Sequence, residues 1–84
     1  MTLPLNGETP EQAFEVQERR ELVQNAVLDL PPASRAALIL REYEGLSYRE
    51  IAETLDVPTG TVMSRLNYAR DRLAKTLKPY LEAK

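Results

Sequence analysis

The sequence predicts an all-α domain of four helices, the last of them the longest. Three observations carry that prediction. Apolar residues recur at steps of three and four in four separate segments, with no sustained strand alternation anywhere. Pro-Pro, Glu-Gly-Leu-Ser and Asp-Val-Pro-Thr punctuate the chain between those segments. Two Ser/Thr-x-x-Glu/Gln boxes stand where helices should begin.

"MTLPLNGETP" has two prolines, a glycine and no periodicity, and residues 1–9 read as a flexible tail or interdomain linker. Thr9 is the expected N-cap of the first helix, with Pro10 at the first helical position and Gln12 completing a capping box. Ala13, Val16, Arg20, Val23, Val27 and Leu30 recur along it at helical spacing, the alkyl stem of Arg20 covering the stripe while its head stays in water. Pro31 and Pro32 end this helix, and Pro32 can open the next.

The second helix is expected over about 32 to 44, with Ala36, Ile39, Leu40 and Tyr43 on its inner face and Gly45 as its left-handed C-terminal residue. Ser47 and Glu50 form the second capping box, opening a short helix that carries Ile51, Ala52 and Leu55 until Asp56-Val57-Pro58 breaks it. The last helix should begin near Thr59, capped by it, and run to about residue 78. Val62, Leu66, Ala69, Leu73 and Leu77 form its stripe, Pro79 stops it, and Tyr80 and Leu81 remain free to pack.

Composition narrows the function. Eighty-four residues allow one small domain that buries roughly 60% of the surface its unfolded chain exposes. There is no Cys and no His, so disulfides, thiolate metal sites and the commonest general base are all missing. Neither a phosphate-cradling glycine loop nor a convergent acid pair is evident, and Glu42, Glu44 and Glu50 read as solvated helix residues. No enzyme, cofactor or metal is expected. No apolar run reaches the ~20 residues that span a bilayer, which points to a cytoplasmic protein without membrane insertion.

The formal net charge of −2 hides a gradient. Three basic residues (Arg19, Arg20 and Arg35) face six acids between Met1 and Leu40, whereas six (Arg65, Arg70, Arg72, Lys75, Lys78 and Lys84) face only Asp71 and Glu82 from Thr59 onward. Polyanion binding depends on a local basic face rather than on the sum. Such residues also solvate a helix and suit its C-terminal dipole, so charge alone leaves both readings open.

The segment "SYREIAETLDVPTGTVMSRLNYAR" has the spacing of a helix-turn-helix. Ala52 is small where the two helices must approach, and Ile51, Leu55, Val57, Val62 and Leu66 supply the apolar faces that fix their crossing. Pro58 cannot continue the preceding helix, the free N–H groups after it suit a phosphate oxygen, and Gly60 leaves room for a DNA backbone. Thr61, Met63, Ser64, Arg65, Asn67 and Tyr68 project from the first turns, where Ser64, Arg65 and Asn67 can hydrogen-bond base edges or phosphates and Met63 can meet a thymine methyl. The same geometry also builds cores in proteins that bind no nucleic acid.

Several elements in order raise the specificity. The run "LPPASRAALILREYEGLSYREIAETLDVPTGTVMSRLNYARDRL" resembles the C-terminal domain, region four, of extracytoplasmic-function (ECF) sigma factors of bacterial RNA polymerase. Its specific elements are "LPP", "LREYEGLSYREIA" and "VPTGTVMSRL", and the likeness extends from Leu30 to about Leu81, with the first helix fitting the start of the same domain. The resemblance implies transcription initiation and its regulation, through DNA-binding at the promoter −35 element in the major groove while polymerase holds the domain in place. It implies DNA contacts from Arg41, Tyr48 and Arg49 and from Pro58, Thr59, Gly60, Thr61, Met63, Ser64, Arg65, Asn67 and Tyr68. It further implies that Glu42 and Arg65 can pair across helices, each otherwise being a solvated surface charge, and that an apolar groove takes the β-flap tip of the polymerase core while an anti-sigma factor covers the same surfaces. Leu22, Leu38 and Leu46 are candidates for the apolar contact, with core packing the more common role of such residues. A sigma factor of this kind also carries an upstream domain that melts the −10 element and binds the polymerase clamp; it is absent from this chain, which reads as a fragment unable to initiate transcription alone.

Two positions depart from the family pattern, since Met63 and Tyr68 stand where relatives often carry basic residues. Either the promoter is unusual or most affinity comes from polymerase. With the acidic total, they keep open a second function: a helix-turn-helix-fold protein-interaction module, binding an anti-sigma factor or polymerase with little DNA affinity of its own.

Overall fold

The computed structural model describes residues 9–82 and contains four helices: α1 (Pro10–Leu28), α2 (Pro32–Glu42), α3 (Tyr48–Leu55) and α4 (Thr59–Glu82). Apart from Thr9, the tail read from the sequence lies outside the described residues, as do Lys84 and the side chain of Leu81.

Both capping boxes form. At the start of α1, Thr9 Oγ1 accepts from the Gln12 N–H at 3.1 Å while Gln12 Oε1 accepts from the Thr9 N–H at 2.9 Å. At α3, Ser47 Oγ and Glu50 Oε1 repeat the exchange at 3.1 and 2.9 Å. Between α1 and α2, Arg35 donates to the Leu28 carbonyl at 2.9 Å and closes the corner. Gly45 takes φ +70°, as its place after α2 predicts, and lets the Leu46 N–H reach back to the Leu40 carbonyl at 3.0 Å.

All three other helices pack against α4, and α2 also meets α3. The centre of the core is wholly buried: Ala37 from α2, Ile51 from α3, and Val62, Leu66 and Ala69 from α4. Val27, Leu30, Leu38 and Ala52 complete it, and Leu55, Val57 and Leu73 pack on its rim.

Three expectations are corrected. The inner face of α2 is turned from the one expected: Ser34, Ala37 and Leu38 are buried, Ala36, Ile39 and Leu40 are only partly so, and Tyr43 is 62% exposed. The helix also stops at Glu42, two residues early. Second, Thr59 does not cap α4 but is its first residue, and the carbonyl that receives the N–H groups of Thr61 and Val62, at 3.0 and 3.3 Å, belongs to Pro58. Third, α4 continues through Pro79 to Glu82. A proline so near a helix end removes one backbone bond, and only three helical residues follow it, so little of the helix depends on that bond.

Candidate nucleic-acid interface

The turn between α3 and α4 is built by local chemistry. Asp56 adopts φ 55°, ψ 52°, the left-handed conformation that ends α3, and the Val57 N–H returns to the Ala52 carbonyl at 3.0 Å. Asp tolerates this region better than most side chains, which is how the turn closes without glycine. Val57 then packs on the core rim, so the turn is pinned by its own side chain. Pro58 follows, and α4 starts at a fixed angle.

The first turns of α4 have two sides. Val62, Leu66 and Ala69 face inward with no exposure, while Thr59, Gly60, Met63, Ser64, Asn67 and Tyr68 face solvent, with Pro58 before them also exposed. Thr61 and Arg65 are half-buried at the border. A Cβ placed on Gly60 would touch nothing within 4 Å, so the fold itself makes no steric demand for glycine there. The Ser64 hydroxyl donates to the Gly60 carbonyl at 3.1 Å, one turn back.

The three candidates outside α4 are placed differently. Arg41 donates to the Leu46 carbonyl at 2.9 Å and lies over the Tyr48 ring, its guanidinium carbon 5.2 Å from the centroid. Tyr48 is half-buried, and its hydroxyl accepts from Arg70 at 3.3 Å. Arg49 is 87% exposed and pairs with Glu53 at 3.3 Å. Arg41 and Tyr48 are thus brought together and held, whereas Arg49 stands in solvent.

Arg70 also reaches Glu42 at 3.2 Å, so one guanidinium ties the end of α2 and the start of α3 to the middle of α4. Those bonds, first to the Tyr48 hydroxyl and then to Glu42, raise the Arg70 pKa above its ordinary value. This corrects the expected partner of Glu42, which is Arg70 rather than Arg65. Neither residue showed a link in the sequence, because 28 positions separate them and only the packing of α2 on α4 joins them.

A second surface lies away from this edge. Val16, Arg19, Arg20 and Val23 of α1 face Tyr43 across a shallow groove, which continues past Gln24 to Val27, Leu28 and Ile39. The apolar candidates named from sequence are not its lining: Leu38 is buried, and Leu22 and Leu46 are half-buried. Val23, Leu28 and Tyr43 are the exposed apolar residues there, at 39%, 63% and 62%.

The family described as "Sigma-70, region 4" matches residues 20–73, which include all of α2 and α3 and α4 as far as Leu73. The chain belongs to that family. It is 45% identical over 74 residues to the RNA polymerase sigma-H factor of Pseudomonas aeruginosa, covering 88% of this chain and 38% of that protein. To the ECF RNA polymerase sigma-E factor of Haemophilus influenzae it is 39% identical over 74 residues, 88% of this chain and 39% of the relative. The ECF sigma-E factor of Escherichia coli K12 gives 40% over 72 residues, 86% and 38%. The chain therefore spans less than two-fifths of the length of these relatives. Among the described residues, no group of His, Cys, Asp and Glu could hold a metal ion, and no helix is long and apolar enough to cross a membrane.

Proposed function

We propose that this chain is the promoter-reading, polymerase-docking domain of an ECF sigma factor, and that it recognises the −35 element by laying the start of α4 in the major groove. One observation carries the reading. Pro58 to Tyr68 present an exposed edge with a bare Gly60 and a free helix start, backed by the fully buried Val62, Leu66 and Ala69. A wholly buried back fixes the helix, and a polar front with no steric need for its glycine suits a polar, closely approaching target.

In this reading Thr59, Gly60, Thr61 and Arg65 meet the DNA backbone, Ser64 meets backbone or base edges, and Met63, Asn67 and Tyr68 face the bases. Arg49 supplies a phosphate contact by leaving Glu53, an exchange that costs little because an exposed pair is worth about 0–1 kcal/mol. Arg41 and Tyr48 contribute from a preset position. The groove between α1 and Tyr43 takes the apolar tip of the polymerase β-flap, and an anti-sigma factor competes by covering the same surfaces. The domain works as a binding module in the cytoplasm, without catalysis.

The test is duplex binding by the 84-residue chain, with the isolated domain and with polymerase core, across a salt series. Each phosphate contact contributes about one unit to the salt slope. Gly60→Leu should lower affinity about tenfold or more, on the scale of a base mismatch, while leaving the unfolding temperature in place. Unchanged binding by that variant, or amide shifts confined outside residues 58–68, would leave only the protein-interaction module.

A further inference from the structure

We infer that the base-reading edge of α4 selects an A·T step, with adenine opposite Asn67 and a thymine methyl against Met63, and needs no guanine there; this rests on the DNA-binding reading above. Guanine is recognised best by an arginine or lysine that reaches O6 and N7 together. The exposed side chains from Pro58 to Tyr68 include no such group, because the single cation of that stretch, Arg65, is half-buried beside the core stripe. Two nearby arginines have prior engagements: Arg41 with the Leu46 carbonyl and the Tyr48 ring, Arg70 with Tyr48 and Glu42.

The exposed side chains match the other base pair. An asparagine amide offers one donor and one acceptor side by side, the complement of adenine N7 and N6–H. Met63 is 49% exposed and offers a polarisable apolar surface, the partner a C5-methyl group prefers over water. Met63 and Asn67 are one helical turn apart on the same ridge, about 6 Å along the axis. Successive base pairs rise about 3.4 Å, so the two side chains can reach neighbouring or next-neighbouring pairs of one site. Tyr68, 45% exposed at the flank, adds a further uncharged surface.

The experiment selects bound duplexes from a random pool with the full chain, then alters single atoms of the selected site. Replacing one thymine by uracil removes only the C5-methyl, and replacing one adenine by 7-deazaadenine removes only N7. The expected result is an enriched A·T step. One uracil position should weaken the wild type several-fold and leave Met63→Ala unaffected. One deazaadenine position should weaken the wild type about tenfold and leave Asn67→Ala unaffected. Enriched guanine at the positions that Met63→Ala and Asn67→Ala relax would overturn the inference and leave the DNA-binding reading standing. Absence of any enriched sequence, with no salt-dependent binding, would overturn both.

Discussion

The first helix and the helix-turn-helix treat their apolar residues in opposite ways. Over 19 residues α1 buries only Ala26 and Val27, and leaves Phe14, Val23 and Leu28 at 64%, 39% and 63% exposure. Over eight residues α3 also buries two, and one of them, Ile51, is sealed completely. Charge divides the same way: α1 carries four acids against Arg19 and Arg20, while α4 carries five basic residues against Asp71 and Glu82. A helix that leaves apolar surface uncovered is suited to another apolar surface. One that seals its central apolar residues and faces outward with hydroxyls, an amide and a bare glycine, leaving Met63 and Tyr68 as the large apolar side chains of that edge, is suited to a base-lined polyanion groove. In the proposed reading these are two faces for two chemistries.

The largest effect should come from the sealed side. Ile51→Ala or Leu66→Ala removes a side chain with no exposure and should cost about 2–5 kcal/mol. In a domain this small that approaches the whole folding free energy, and circular dichroism should show loss of cooperative unfolding near room temperature. Val23→Ala on α1 removes a partly solvated side chain and should cost under about 1 kcal/mol. Similar costs for the two would mean that α1 is as much a part of the core as α3, and the contrast would fail.

A subtler separation concerns Arg70. Its links to Tyr48 and Glu42 are substantially exposed, so Arg70→Ala should change stability by no more than about 1 kcal/mol. If those links set α3 against α4, duplex affinity should nevertheless fall several-fold, and Arg70→Lys should not restore it, because an ammonium lacks the planar fork that spans both partners. Glu42→Gln decides between positioning and simple charge. It removes a negative charge, which alone would strengthen binding, whereas a weakened link should reduce it. Tighter binding by Glu42→Gln would make Arg70 an electrostatic contributor only.

These contrasts also mark what the sequence made legible. The caps at Thr9 and Ser47 and the turn at Gly45 depend on residues within a few positions of each other, and each forms as read. The face of α2 did not follow, because Ala36 to Leu40 is a continuous apolar run in which several stripes fit the helical period. Only packing against α3 and α4 selects Ala37 and Leu38. The edge from Pro58 to Tyr68 was readable because an exposed ridge is the complement of a clear stripe, Val62, Leu66 and Ala69. The Arg70 links and the groove at Tyr43 were not readable, since each joins residues far apart in the chain.

The smallest predicted effect separates the two capping boxes themselves. That of α1 closes with Gln12, which has no proton to gain, and that of α3 with Glu50. Accepting from the Ser47 backbone N–H, and then its side-chain bond to Ser47, hold the Glu50 carboxyl below its ordinary pKa. A carboxyl whose pKa is lowered by folding favours the folded state above the ordinary carboxylate range and loses that contribution as pH falls through its folded pKa. As pH falls from neutral to below the ordinary carboxylate range, the Ser47 amide should therefore lose hydrogen-exchange protection, relative to rates corrected for pH, while the Thr9 amide does not. Glu50→Gln should make α3 behave like α1, with a box that still closes but no longer titrates. Parallel loss at both amides would show acid acting on the whole domain rather than on one helix start, because a titrating cap can loosen only the helix that it closes.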